Sequence, residues 1–590
     1  MASADGSTLT TSARSPDDRP SRGRLDGGGG MLEAFRALGV DYVFSSPGSE
    51  WAPVWEAFAR QRQEGEPGPR YLDLTHESLA VGMATGYALI TQRGQVVLLH
   101  AGAGLLQGAN AIHGALLSGA PMVVSSSESI TYGEGEGPDP GSQWYRNLSV
   151  VGGPHTLASG FVKWANQAPT PEVLYEMVLR AGEIAGRQPT GPVYLNVPLE
   201  TLLADWSPPA VHRPVAAPGR RVSAPEDVER VADALLSARW PLVITETAGR
   251  DERTFAALKG FAESLGIGVV EPRSAVCANF DRTSPLHLGE RPPAGVDVDL
   301  LLLVNARAPW YPPSANPYPN ARVVVIDEVP QRPHIVYQVL HATDYLEGEV
   351  AATLDALRVA VSARLDGFDV ERRSAEFSRL HEAHEQAITS AELSGREAGD
   401  AISTALLVST LRELLPQDAI VVDETITHSG ELQRYLRASE FGRWLYVQGG
   451  LGQGSGVALG VKLAVGERMV VLAIGDGTFL YNPMFQGLMA SRDLGLPVLI
   501  VVFNNRQYLS MKMNHLRFYP DGVAVRNDDH DGVKLSGQPP LSELATPFGF
   551  LGCEVHHASE LADALAAGIA AVADGRAAVI NVHLGDGNGR

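Results

Sequence analysis

Short unbroken apolar runs, each closed by a Gly, Pro, Ser or Asn cluster, alternate along the chain with longer segments whose apolar residues recur at helical spacing. From residue 31 the pattern predicts a helix over 31–38 and strands at 42–45, 71–74, 95–100, 121–126 and 192–196. Helices are predicted from His76 and over 107–117. A second set of strands is predicted at 241–245, 268–270, 300–304 and 322–326, and a third at 419–422, 469–474, 497–503 and 578–583. Strands that are apolar throughout are buried on both faces. Alternated with helices, they imply parallel sheets with helices on each side.

The breaks in this pattern divide the chain. Residues 1–30 are rich in Ser, Asp, Arg and Pro, end in Gly27-Gly28-Gly29-Gly30 and read as a disordered tail without the apolar core of a secretory signal. Residues 31–205 form a first α/β unit, 206–221 a Pro-rich linker and 222–365 a second unit. Residues 366–400 form a polar helical connector, and 401–590 a third unit. The fold class is therefore α/β, with three doubly wound parallel-sheet domains; the first and third could be distant copies.

Composition narrows the function. The net charge of −21 over 590 residues repels nucleic acid and anionic lipid, so neither is expected as a partner. The two cysteines, Cys277 and Cys553, cannot build a disulfide framework or a four-ligand zinc site, and a reducing cytoplasm is the expected location. The longest apolar runs, such as 494–503, are too short for a transmembrane helix.

The most informative stretch is 469–507. A strand ends in Gly475-Asp476-Gly477-Thr478, a helix follows over 483–491, and the next strand ends in Asn504-Asn505. Both polar clusters then lie at the carboxyl ends of neighbouring parallel strands, where open α/β sheets bind ligands. The glycines let the backbone turn sharply and bare its amides to an anion. A carboxylate and a carboxamide one strand-helix-strand unit apart can share a hard cation, and Mg²⁺ held by few protein oxygens completes its shell with phosphate and water. Either cluster alone would read as an ordinary turn.

Together they resemble the thiamine diphosphate fingerprint of the acetolactate synthase, pyruvate decarboxylase and benzoylformate decarboxylase superfamily. The resemblance implies a pyrimidine-binding first unit, a Rossmann-like central unit and a diphosphate-binding third unit. It makes Asp476, Asn505 and the Gln507 carbonyl the Mg²⁺ ligands, with Gly475, Gly477 and Thr478 at the diphosphate. Gly449-Gly450-Leu451-Gly452 resembles the stretch that wedges the cofactor: Leu451 would force its bent conformer and the Gly449 carbonyl would hold the aminopyrimidine. Thr427, in the loop 425–429, would meet the diphosphate from the other side. FAD, which some relatives carry, finds no nucleotide fingerprint in 241–302 to support it.

In the first unit, Glu77 ends a strand and opens an apolar helix. An arbitrary glutamate there would simply favour the helix dipole. The following Gly82-Met83-Ala84-Thr85-Gly86 resembles the family's helix after its catalytic glutamate, which acts on the aminopyrimidine. His100, before Ala101-Gly102-Ala103-Gly104, resembles a benzoylformate decarboxylase histidine, and Ser49 resembles that enzyme's serine near the substrate carboxylate. Two features depart: no histidine stands in the middle unit around 308–314, and Gln107 replaces an asparagine.

The expected activity is decarboxylation of a 2-oxo acid to an aldehyde by a homodimer or homotetramer. The alternative is an acetolactate synthase-type carboligase, which transfers the carbanion to a second aldehyde or keto acid. Two other classes are weighed. One is a nicotinamide-dependent reductase, from the glycine pattern 102–108, which lacks a redox constellation. The other is an inactive cofactor-binding protein, against which the intact Glu77, Asp476 and Asn505 argue.

Overall fold

The computed structural model describes residues 25–585 except 212, 292, 294, 334–340, 365–369 and 536. Three parallel sheets carry the chain. The first contains β1 (Tyr42–Ser46), β2 (Arg70–Asp73), β3 (Gln95–Leu99), β4 (Met122–Ser126), β5 (Ala165–Gln167) and β6 (Pro192–Asn196), in the order β2-β1-β3-β4-β6-β5. The second contains β7 (Pro241–Thr245), β8 (Gly268–Val270), β9 (Leu300–Val304), β10 (Arg322–Asp327) and β11 (Asp344–Glu347), in the order β8-β7-β9-β10-β11. The third contains β12 (Ile420–Glu424), β13 (Trp444–Tyr446), β14 (Val470–Gly475), β15 (Leu499–Asn504), β16 (Leu551–Val555) and β17 (Ala578–His583). Its order, β13-β12-β14-β15-β17-β16, repeats that of the first sheet strand for strand. The central strands are wholly buried, as their apolar runs require.

The tail expected to run to Gly30 ends earlier. Residues 1–24 lie outside the described residues, but Leu25 and Asp26 pair with Asp205 and Trp206, and Gly27–Ala37 is helix α1. Asp26 caps it by accepting the Gly29 N–H at 2.9 Å. The glycines serve close packing here. A Cβ at Gly27 would lie 2.2 Å from the Thr201 carbonyl, one at Gly28 2.3 Å from the Pro53 backbone and one at Gly30 2.9 Å from the Trp206 ring.

The helix expected over 107–117 begins earlier: the glycine stretch after His100 is the first turn of α3 (Ala101–Ser118), which follows α2 (Glu77–Thr91). The polar connector is helical as expected, and most of it is one helix, α4 (Val370–Glu397).

The first and third units meet where α2 crosses α5 (Gly454–Val465). Each of these helices follows the second strand of its own sheet, so equivalent elements face each other. The crossing is made by glycine against backbone: a Cβ at Gly86 would lie 2.1 Å from the Val457 carbonyl, and one at Gly460 2.0 Å from the Met83 carbonyl. A Cβ at Gly82 would lie 3.0 Å from Gly456 Cα, and one at Gly456 2.9 Å from Gly82 Cα. Gly86→Val is expected to destabilise the protein by at least about 1–3 kcal/mol, the cost of overpacking a close contact. Thermal unfolding checks this, and an unchanged midpoint would mean the helices separate easily.

Candidate active site

In the first unit, Glu77 opens α2, with His76 as the N-cap accepting the Ser78 N–H at 3.2 Å. Its carboxyl is half-buried over the glycine face of α3. A Cβ at Gly104 would lie 3.4 Å from Glu77 Oε1 and 3.2 Å from the His100 Cβ, so the two side chains flank that glycine.

His100 stands at the carboxyl end of β3. Its Nδ1 lies 2.9 and 3.0 Å from the two oxygens of Glu50, a fully buried carboxyl that also accepts the Ala101 N–H at 2.9 Å. With Nδ1 turned to Glu50, Nε2 is the nitrogen left for other partners. Hydrogen bonding to Glu50, against some desolvation, raises the His100 pKa above the usual histidine value.

Ser49 is exposed at the start of the 3₁₀ turn Ser49–Trp51, and its hydroxyl makes no hydrogen bond among the described residues. Glu50 and Glu128 were not singled out from the sequence. Glu128 follows β4, is buried, and among the described residues its carboxyl meets only the Val150 N–H; burial pushes its pKa up to about 7. Only their position just beyond a strand's carboxyl end could have marked either.

The third unit repeats this plan. A 3₁₀ turn, Ile426–His428, follows β12 as Ser49–Trp51 follows β1. Asp476 follows β14 as His100 follows β3. Asp476 is 2% exposed, accepts Gln538 Nε2 at 2.8 Å and has no ion-pair partner among the described residues. Burial raises its pKa. A buried carboxylate with no cation beside it fits a Mg²⁺ ligand.

Asn505 Oδ1 accepts the Gln507 N–H at 3.0 Å, and its Nδ2 lies 3.1 Å from Nε2 of the buried His428. Gly475 and Asp476 join β14 to a short helix, Asp476–Tyr481, which includes Gly477 and Thr478. The Tyr508 ring covers Gly477, where a Cβ would lie 2.3 Å from it. Ala101, Ile426 and Arg506 hold φ of +40°, +56° and +57° at the carboxyl ends of β3, β12 and β15, so backbone strain collects in these turns.

The Gly449–Leu451 segment is pinned from both sides. The Leu451 carbonyl accepts Asn110 Nδ2 at 3.0 Å, and Gly449, at φ +95°, packs on Gly114. Behind it lies Glu424, a buried acid the sequence reading passed over. Its oxygens accept the N–H groups of Gly452, Gln453 and Gly454, each at 3.0 Å, and Asn482 Nδ2 at 2.7 Å. Burial outweighs these donors and pushes its pKa up to about 7. Thr427 is half-buried, between Ile426 and His428.

Residues 25–147 match the thiamine pyrophosphate enzyme N-terminal TPP binding domain, and 426–582 match the C-terminal TPP binding domain. The chain is 27% identical to the probable 2-ketoarginine decarboxylase of Pseudomonas aeruginosa, over 86% of this chain and 87% of that one. It is 26% identical to the benzoylformate decarboxylase of the same organism, over 91% and 96%. It is 24% identical to the acetolactate synthase isozyme 2 large subunit of Escherichia coli, over 92% and 93%. The thiamine diphosphate-dependent 4-hydroxybenzoylformate decarboxylase of Rhodococcus jostii superposes with a TM-score of 0.74 at 23% identity, covering 95% of this chain and 99% of that one. The chain thus carries both TPP-binding domains of the thiamine pyrophosphate enzymes. It is a thiamine diphosphate-dependent enzyme of the family that holds these decarboxylases and acetolactate synthases.

Glu424→Ala would strand three buried backbone donors, each costing about 1–3 kcal/mol when unpaired. The expected result is a lower unfolding midpoint together with weaker thiamine diphosphate binding by calorimetry. Unchanged affinity would show that Glu424 does not shape the Gly449–Leu451 segment.

Proposed function

We propose that the protein catalyses the Mg²⁺-dependent, non-oxidative decarboxylation of a 2-oxo acid to an aldehyde. The observation that carries this is the Glu50–His100 pair, which leaves Nε2 of a histidine with a raised pKa beside Glu77. When bound, thiamine diphosphate supplies an electron sink for the bond that breaks. Asp476, Asn505 and the Gln507 carbonyl would hold Mg²⁺, with Gly475, Gly477, Thr478 and Thr427 at the diphosphate. The Gly449 carbonyl and Leu451 would orient the ring system, Glu77 would hold the proton that activates it, and Ser49 would meet the substrate carboxylate. His100 would then deliver a proton from Nε2 to the carbon that lost CO₂.

The two clusters belong to different sheets, and no hydrogen bond joins Glu77 to Asp476 among the described residues. Each is edged by exposed apolar side chains. Leu106, Tyr145 and Val151 lie on the first unit, and Leu480, Tyr481 and Phe485 on the third. Such patches suit burial against a second copy, so a complete site would combine Glu77 of one subunit with Asp476 of another, in a dimer or tetramer.

One observation favours acyl transfer as a second reading: the loop after β9 offers no second proton donor of histidine type. There Trp310 Nε1 donates to the Pro313 carbonyl at 3.0 Å and Tyr311 is exposed.

Holoenzyme incubated with a panel of 2-oxo acids, with and without added aldehyde, should release CO₂ and aldehyde. Glu77→Gln should lower turnover about 10²–10⁴-fold, the scale of a positioned acid–base group. Acyloins without free aldehyde would favour the carboligase, and no consumption of any 2-oxo acid would leave a binding protein.

The pH profile tests the histidine. A proton on Nε2 is retained up to the raised pKa and lost above it, so aldehyde formation should fall on an alkaline limb above the ordinary histidine value of about 6.5. Glu50→Gln removes the main cause of the shift and should move that limb to lower pH. A limb that stays in place would mean another group protonates the product.

A further inference from the structure

Glu554 and His583 stand on neighbouring parallel strands at one edge of the third sheet, and His556 follows the first of these strands. The register pairs Glu554 of β16 with Asn581 of β17. Side chains two residues apart along a strand share a face, so His583, two beyond Asn581, comes onto the face of Glu554. His556 lies two beyond Glu554, just past the end of β16. Its backbone N–H donates to Glu560 Oε2 at 3.1 Å, in the first turn of α6 (Ala558–Ala573).

The ligand atoms that Glu554, His556 and His583 offer all lie within 4.8 Å of one another. His583 Nε2 already meets Glu554 Oε2 at 2.7 Å. The Glu554 carboxyl is also fixed from behind. Ser542 N–H and Oγ donate to Oε1 at 3.1 and 2.7 Å, and Asn581 Nδ2 to Oε2 at 2.8 Å. Burial works against the charge on Glu554, but hydrogen bonds from Ser542 and His583 hold its pKa below the usual carboxylate value. Burial also lowers the pKa of His583. Carboxylate and neutral imidazole are the forms that ligate metals.

Two imidazoles and a carboxylate suit zinc and its neighbours in the first transition row, whereas Mg²⁺ takes oxygen. Bonds of about 2.0–2.2 Å to zinc place ligand atoms roughly 3.3 Å apart. The His556 and His583 rings are stacked, with centroids 4.1 Å apart and planes 13° from parallel. Stacked rings aim their nitrogens alongside each other, so one ring must turn to complete the set. His556 is exposed and its ring makes no hydrogen bond among the described residues, so it can turn about its own side-chain bonds. Arg506 Nη2 lies 3.5 Å from His583 Nδ1 and brings a positive charge, but this side chain is exposed, where water and salt screen it.

The cluster is separate from the residues proposed above for Mg²⁺, and a line of hydrogen bonds spans the interval. Asn504 Nδ2 donates to Asn581 Oδ1 at 3.1 Å and to Gln538 Oε1 at 3.2 Å, and Gln538 Nε2 donates to Asp476 Oδ2 at 2.8 Å.

We propose that Glu554, His556 and His583 bind a divalent transition-metal ion of the zinc class, which ties edge strand β16 to β17 and is not the Mg²⁺ of the cofactor.

The test uses protein stripped of transition metals by a chelator and reloaded with saturating Mg²⁺ and thiamine diphosphate. Zn²⁺ is titrated by calorimetry, and thermal unfolding is followed with and without it. One equivalent per chain should bind and raise the unfolding midpoint, as a ligand of the native state does. His556→Ala alters an exposed side chain and spares the packing. It should weaken Zn²⁺ binding at least about 10- to 100-fold, since loss of a partner behind a ligand already costs that much, and should remove the rise in midpoint. Asp476→Ala should leave the Zn²⁺ affinity in place. No saturable Zn²⁺ binding by the wild type, an affinity that His556→Ala leaves unchanged, or one lost with Asp476→Ala overturns the proposal. The decarboxylase reading is decided separately, by consumption of 2-oxo acids.

Discussion

The contact of α2 with α5, glycine on backbone, is the constraint that sets the first sheet against the third within one chain. α2 begins with Glu77 and α5 with Gly454, whose N–H is held by Glu424. A crossing this close fixes the distance between the first and third sheets, and interiors packed to this density do not deform gradually. Every residue at the carboxyl edges of the two sheets inherits its position from that crossing. The strand order common to the two sheets explains why equivalent helices make it: each follows the second strand of its own sheet.

Buried acids at those edges divide by what meets them. Asp423 is surrounded by Thr425, Ser429 and Trp444, and Glu424 by three backbone donors and Asn482. Their hydrogen bonds are used up in shaping the turn 425–429 and the segment 449–454. Asp476 accepts Gln538 Nε2 and neighbouring backbone donors but has no cation beside it among the described residues. Glu50 spends its oxygens on His100 and Ala101 and thereby decides which imidazole nitrogen faces outward. Burial alone therefore does not mark a functional acid.

Periodicity made the central strands legible because they are buried on both faces, but four strands escaped it. β5, β11, β13 and β16 are all edge strands. With a neighbour on one side only, they carry polar or half-exposed residues, such as Asn166 in β5 and Asp344 in β11, which pairs with Arg230 and Arg322. The glycines 27–30 misled for a different reason. Glycine run and flexible tail look alike in a sequence, and only the approach of Thr201, Pro53 and Trp206 distinguishes them. The residues proposed for the metal and the diphosphate were named through a resemblance. Glu50 and Glu424 were not, since a partner's identity across many residues of chain has no local signature.

The repeated plan of the two sheets also separates scaffold from chemistry. His100 and Asp476 occupy matching places, one residue beyond the third strand of each unit and at the start of a helix. One is turned to a carboxylate and keeps its other ring nitrogen outward; the other is a buried carboxyl held by Gln538. The core residues beneath them are alike in kind, Val-Val-Leu-Leu in one strand and Val-Val-Leu-Ala-Ile in the other. A residue at a strand's carboxyl end can therefore change its chemistry without disturbing the packing below, so a fold used twice can supply two unlike halves of one site. The strained residues sit there too: Ala101, Ile426 and Arg506 hold left-handed backbone that the sheets below are rigid enough to impose.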